Sequence, residues 1–426
     1  MKDVLNRELL QAPSARGLVR RIVDGLSDRL TLLVFVPSTT DVSILRDSIR
    51  AELFRRDFHL TEVSLLDFEC SVSAIGRLAE LLNCPDKSVD GLSWKSVLTS
   101  EAMPDVLLFS DFDRLPENSQ QKWFVHLSEM SRASQTALDH GHRCPAALCM
   151  ASTCNNLSAI AHNSLRLNTH WWWGTPSGLE LSLVCRQVEQ EVTRNAEAAW
   201  REHVIPSLVT DDVQLVELLW DRVTCDPSTL WDDLRELGRQ RGWCASDLKS
   251  GGAEELILSG EASRLLQATF PEPPERFRGL WSQGLLRWTP EYGFELHAAA
   301  VALLGHTEAL DHRLWRGQAA LILPLLDHIR HRVCRSLARR HGEKWPLRWQ
   351  KPDTPEELQS LERSHLGCQW GYLEWLLRNC PELRRDRNWL RAVERCRWMR
   401  NELSHYRPVP FSEFECIWEE MTRQPV

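Results

Sequence analysis

Apolar residues run without interruption from Leu32 to Val36, a density that predicts a strand buried on both faces. Shorter stretches at Leu60 to Leu66, Val106 to Phe109 and Ala146 to Met150 predict three more strands. The segments Ser43 to Phe54 and Gln120 to Ser131 have helical spacing and fall between them. That alternation predicts a doubly wound α/β layer with a mostly parallel sheet. Ahead of it, Met1 to Leu30 reads as a polar helix broken at Pro13.

Past Trp171-Trp172-Trp173-Gly174 the apolar spacing changes to three and four, as at Leu215, Leu218, Leu219 and Val223, with Asp211 and Asp212 placed to start a helix. Arg276 to Leu285 reads as a short helix, and Leu285 to Trp288 with Phe294 to His297 as a hairpin turned by Pro290-Glu291-Tyr292-Gly293. Helices followed by such a hairpin resemble a winged helix. Arg276 and Arg278 are offset by Glu275, and Leu280 and Trp281 close the helix, which suits packing better than reading DNA. From about Ala309 the chain is helical again, interrupted by a Pro- and Trp-containing stretch from Gly342 to Pro355. Helices are then predicted over Glu356 to Leu377, Arg387 to Tyr406 and Phe411 to Met421.

Composition narrows the classes. With 43% hydrophobic and 26% charged residues among 426, the chain is neither disordered nor fibrous, and no apolar run is long enough for a membrane helix. Thirteen cysteines without a Cys-x-x-Cys pair point to reduced thiols used as small core residues, and so to the cytoplasm. A net charge of −8 excludes a whole-molecule nucleic-acid coat but leaves room for one local basic surface. Nineteen Trp against three Tyr imply aromatic cores in Leu-rich helical packing.

The first strand is followed by Pro37-Ser38-Thr39-Thr40-Asp41 and then a helix, the place where a P-loop protein carries its phosphate loop. No glycine is there to wrap a phosphate and no lysine follows. The strand at Val106 ends in Ser110-Asp111-Phe112-Asp113, similar to a Walker B segment. The strand at Ala146 ends in Ser152-Thr153, similar to the polar sensor position of AAA-type and STAND-type ATPases. Leu32 to about Gly305 thus resembles a degenerate member of those classes, a layout without the ATP chemistry. Asp111 and Asp113 are the candidate remnants of the nucleotide site, the bland alternative being that they cap the next helix.

His140, His142, Cys144, Cys149 and Cys154 are zinc-type ligands crowded into fifteen residues, but buried strand thiols plus loop histidines explain them without a metal. Neither metal nor cofactor is expected.

Arg400-Asn401-Glu402-Leu403-Ser404-His405 closes the helix that ends before Pro408. On a helical wheel Trp389, Val393, Cys396 and Leu403 share a face, with Arg400 in the middle of it. A guanidinium placed there needs a carboxylate, such as Glu362 or Glu374, or a cleft. His405 is about 140° away from Arg400 on that wheel. At these residues the chain resembles the HEPN superfamily, whose motif is Arg, a polar residue, three more residues and His near the end of a helix in a compact bundle. Arg400, Asn401 and His405 match it, and the resemblance covers roughly Trp315 to Met421. It implies a metal-independent ribonuclease that acts as a dimer, although some members are catalytically silent.

The residue chemistry is compatible with that role. His405 suits a general base or acid, Arg400 the stabilisation of a phosphorane, and Asn401 the orientation of either. Arg391, Arg395, Arg397 and Arg407, with Arg384, Arg385 and Arg387, are expected to form an RNA-binding surface. The expected fold class is multidomain, α/β plus all-α. Its parts are a degenerate P-loop-like α/β domain (1–175), a helical lid (176–265), a winged-helix-like domain (266–312) and a HEPN-like bundle (313–426). The expected partners are RNA, a second copy through the bundle and a regulatory protein, with no membrane. The rival is a non-enzymatic adaptor of a defence or nucleic-acid-associated assembly.

Overall fold

The computed structural model describes residues 2–68, 73–84, 92–152, 167–172, 176–188, 195–209, 212–222, 226–258, 272–289, 293–349, 352 and 354–423. Of the residues singled out above, Thr153, Cys154, Trp173, Gly174, Asp211, Val223 and 290–292 lie outside them. The chain forms two compact units. One is Met1–Glu180 with Thr210–Gln214 and Gly242–Ala300; the other is Leu181–Val209, Leu215–Arg241 and Val301–Val426.

The first unit holds a parallel sheet of five strands in the order β2-β3-β4-β1-β5. These are β1 Thr31–Phe35, β2 Leu60–Ser64, β3 Val106–Ser110, β4 Ala146–Ala151 and β5 Asn168–Trp171. Every residue of β1 and β4 is buried, as their unbroken apolar runs require. β5 was not expected, because Asn168-Thr169-His170-Trp171 offers one large apolar residue. It is held by its ladder to β1, with Leu32 opposite Asn168 and Phe35 opposite Trp171.

One face of the sheet is covered by the helices Pro13–Ser27 and Val42–Arg55. They bring Leu18, Ile22, Leu26, Leu45, Ile49 and Leu53 onto Leu32, Val34, Leu108 and Leu148. Each such side chain contributes about 1.5–3 kcal/mol relative to exposure. Pro13 sits in the first turn of its helix and separates it from Lys2–Gln11, the position where a missing N–H is harmless.

The predicted hairpin forms as β6 Leu286–Thr289 and β7 Gly293–Leu296, preceded by the helix Arg278–Ser282. Arg287 and Glu295 face each other across the ladder as a buried ion pair. Beyond it, buried His297 places Nε2 2.8 Å from Asp212 Oδ2, while Asp212 Oδ1 accepts the N–H of Gln214 at the start of the next helix.

The second unit is all helical among the described residues. Its longest element, Thr307–His341, packs along Ala196–Leu208. At Gly317 a Cβ would stand 2.8 Å from the His203 carbonyl, so only glycine fits the crossing. Pro355–Arg363, Trp370–Asn379, Leu390–Ser404 and Phe411–Arg423 complete it. The helix predicted over Glu356 to Leu377 is broken by a 3-10 turn at His365–Gly367. There Gly367 backs onto Ser360, whose carbonyl would lie 2.9 Å from an added Cβ. Likewise Arg387 does not start the motif helix, because Pro381–Trp389 is 3-10 and the α-helix begins at Leu390.

Candidate functional site

The buried face of Leu390–Ser404 is Ala392, Val393, Cys396, Met399 and Leu403; Ala392 and Met399 extend it away from Arg400, which is exposed near its edge. The expectation of Arg400 in the middle of an apolar face is therefore corrected. Arg400 and Asn401 line an open cleft of about 570 Å³ inside the second unit, with Asp327, Arg330, Gln369, Trp370 and Arg397 among its other walls. It is built by the long Thr307–His341 helix, Ser360 of Pro355–Arg363, the 3-10 turn and the first residues of Trp370–Asn379, and the motif helix.

The three arginines of the cleft are in different states. Arg330 is bonded to Asp327 at 2.6 Å and to the carbonyls of Leu366 and Cys368. The Arg330 hydrogen bond, against the opposing effect of burial, holds the Asp327 carboxyl below its ordinary range. Arg397 lies 2.8 Å from buried Glu374, which also takes Arg378. Among the described residues the guanidinium of Arg400 has no hydrogen bond or ion pair, and Glu374 and exposed Glu362 are not its partners.

His405 does not line the cleft. It is the C-cap of the motif helix, its N–H bonded to the carbonyls of Asn401 and Glu402, and its exposed imidazole has no partner among the described residues. Tyr406 follows in the left-handed conformation, φ +59°, so the chain does leave the helix there. The turn packs Tyr406 on Trp315, whose indole N–H donates to the Leu403 carbonyl at 2.7 Å. One chain thus does not bring Arg400 and His405 to a common cleft.

The expected RNA-binding arginines separate as well. Arg395 is paired with Glu413 at 2.7 Å, Arg397 with Glu374, and Arg407 with Glu402 at 2.7 Å, whereas exposed Arg391 is free among the described residues. Three of the four are tied into the bundle's own ion pairs.

In the first unit the carboxylates after β3 do not cap a helix through their side chains. Asp111, at φ +62°, accepts the Ser64 hydroxyl at 2.8 Å and lies 3.3 Å from Arg114. The Ser64 bond, opposed by burial and aided by Arg114, lowers its pKa. Asp113 takes the Ser152 N–H with both oxygens, at 2.8 and 2.9 Å, bridging the ends of β3 and β4. Because β4 lies between β1 and β3, the Ser38 loop, the two carboxylates and Ser152 share one edge of the sheet.

That edge is closed by the chain itself. Ser38 N–H donates to the Ser282 carbonyl at 2.8 Å, Thr40 N–H to Pro37, and Asp41 caps the following helix by accepting Ser43 N–H. A Cβ on Gly284, φ +71°, would overlap the Thr39 side chain and stand 2.9 Å from its Cβ. Trp281 packs on Trp171 and donates to the Trp172 carbonyl, fixing this segment over β1 and β5. The N–H groups of Ser38, Thr40 and Ser43 are thus already bonded, and the Asp41 carboxylate occupies the helix start, where a bound anion would compete with it.

No known family model and no curated protein matches the chain. Among solved structures, the AMPPCP-bound DnaA of Aquifex aeolicus is similar over 63% of this chain and 76% of its own, with 11% identity and a TM-score of 0.26. So loose a likeness carries neither site nor activity across.

The remaining cluster resolves into separate roles. His140 Nδ1 lies 2.6 Å from the Thr136 carbonyl at the end of its helix, and Cys144 and Cys149 are buried, both thiols pushed up by burial. Among the described residues no helix is long and apolar enough to cross a membrane. Arg330, Gln369 and Trp370 were missed as cleft residues. The available signal was Asp327 three positions before Arg330, a helix-spaced pair on an otherwise apolar stretch.

Proposed function

We propose that the chain is a HEPN-type, metal-independent endoribonuclease of a defence, toxin or stress-response system, working as a homodimer through its C-terminal bundle. The observation that carries this reading is Arg400, a guanidinium without a partner among the described residues, lining an open cleft beside Asn401. A cation left unpaired in a concave site is suited to a phosphodiester. His405 stands outside that cleft, so in this reading a second copy supplies it across a two-fold axis. The RNA 2′-oxygen attacks phosphorus and passes its proton to the imidazole, and the P–O5′ bond breaks as the 5′-oxygen takes that proton back from the imidazolium. The products are a 2′,3′-cyclic phosphate and a 5′-hydroxyl end.

In the same reading the first unit is a degenerate P-loop-like module with a winged-helix-like hairpin. It regulates without hydrolysing ATP, in response to a protein partner or nucleic acid. The loop at Ser38 to Asp41 supports this, since the Ser38 and Thr40 N–H groups are spent on the chain's own carbonyls and Thr39 packs against Gly284. The adaptor reading draws on the position of His405 outside the cleft.

The test is incubation of purified protein with total RNA in EDTA, beside Arg400→Ala, Arg400→Lys and His405→Ala. Cleavage should persist in EDTA, spare DNA, fall on the order of 10²–10⁴-fold without His405, and not be restored by lysine, which lacks the planar fork. Full activity in His405→Ala would sink the assignment and leave the adaptor.

A further inference from the structure

Away from the cleft, the C-terminal end of the Thr307–His341 helix meets the 3-10 segment Pro381–Trp389. The joint is Asp386, fully buried, with Oδ1 2.6 Å from Arg340 and Oδ2 3.0 Å from His341 Nε2. By anchoring between its neighbours Arg385 and Arg387, it brings two arginine-rich stretches together. The stretches 335–349 and 381–391 carry nine Arg and Lys against Glu343, Glu382 and Asp386, in a chain of net charge −8.

Seven of these cations, Arg335, Arg339, Lys344, Arg348, Arg384, Arg385 and Arg391, are exposed and make no hydrogen bond or ion pair among the described residues. Elsewhere in the same unit Arg330, Arg378, Arg395, Arg397 and Arg407 all have carboxylate partners. Arg335 and Arg339 are one helical turn apart and Arg384 and Arg385 adjacent, arrangements that repel and so destabilise the free protein. Opposite charge supplied from outside removes that repulsion and releases counterions, which is the energetic signature of a phosphate backbone.

We propose that this end of the bundle is an RNA-docking surface, distinct from the Arg400 cleft, that holds the sugar-phosphate backbone without reading bases. It deepens the ribonuclease reading by separating capture from cleavage. Three of the arginines nearest the motif already serve the fold, so capture falls to this end instead.

The experiment is fluorescence anisotropy of a labelled 30-nucleotide single-stranded RNA with the full chain across a salt series. The proteins are wild type, Arg384→Gln/Arg385→Gln, Arg335→Gln/Arg339→Gln and Arg400→Ala. Each double variant should bind at least tenfold more weakly at low salt and flatten the plot of log affinity against log salt by about 1.4, roughly 0.7 per lost phosphate contact on a single strand. Circular dichroism should be unchanged, since these side chains support nothing in the fold. Wild-type affinity and slope in both double variants overturn the proposal, as does equal weakening by an uncharged competitor peptide and by RNA. Binding that follows this pattern while no RNA is ever cut supports the docking surface and refutes the ribonuclease. Cleavage that depends on Arg400 with binding indifferent to all four arginines does the reverse.

Discussion

Replacing Asp386 by alanine should loosen the C-terminal bundle locally and by a calculable amount. Its carboxylate is about 1% exposed and is shared between Arg340, 54% exposed, and His341, 20% exposed. Breaking a wholly buried charge pair costs about 3–5 kcal/mol. Arg340 regains water when released, so its part falls to the ~0–1 kcal/mol of a surface pair. The remaining loss, from His341 and from the cavity under the 3-10 segment, is about 2–3 kcal/mol. Since the chain holds two compact units, one global transition would blur the effect. Amide hydrogen exchange of residues 381–403, read by mass spectrometry, isolates it. Exchange there should speed up roughly 30- to 150-fold, with the strands of the first unit unchanged. Arg348→Ala, an exposed side chain without a partner among the described residues, is the control and should change little. Wild-type exchange rates in Asp386→Ala, or an equal effect in the control, would refute the claim that this buried carboxylate holds the segment in place.

Gly284→Ala should destabilise the first unit by about 2–4 kcal/mol, from the positive φ and the overlap with Thr39. Thr39→Gly in the same chain should recover part of that loss in urea denaturation, and no recovery would mean the two residues are not in contact. Asp105 is partly buried, which opposes ionisation, but the His59 N–H, Arg143 and Arg29 outweigh that and hold its carboxyl at about 2. Its folded pKa lies below the unfolded value, so its contribution of about 2 kcal/mol is complete above pH 4 and lost as pH falls towards 2. The stability gap between wild type and Asp105→Asn should close over that window, and a gap independent of pH would contradict the assignment. Light scattering at micromolar protein should show at least a dimer. A strict monomer, with RNA present or absent, counts against the two-fold completion of the site.

Much of the sheet was legible because a strand buried on both faces leaves a run of apolar residues that nothing else explains. The strands at Leu32, Val106 and Ala146 were found to within a residue or two on that ground. β5 carries no such run, since an edge strand is fixed by its neighbour's ladder more than by its own side chains. The second unit was harder. Helical spacing does not mark where a helix changes pitch, so Trp389 was placed on the motif helix, and the burial of Ala392 and Met399, which moves the apolar face off Arg400, was not legible. The cleft could not be read at all from the motif. Its other walls come from residues 30 to 80 positions earlier, and only packing brings Arg330, Gln369 and Trp370 to Arg400.

The Thr307–His341 helix is 35 residues long, about 50 Å from end to end. Near its start Gly317 is wedged against Ala196–Leu208 and Gln318 clasps both backbone groups of Val409. Midway it presents Asp327 and Arg330 to the cleft, and at its far end Arg340 and His341 grip Asp386. Pro324 interrupts the ladder of backbone bonds just before the cleft residues. One rod thus fixes the spacing of the Val409 clasp, a wall of the cleft and the arginine-rich end, with its missing backbone bond beside the site.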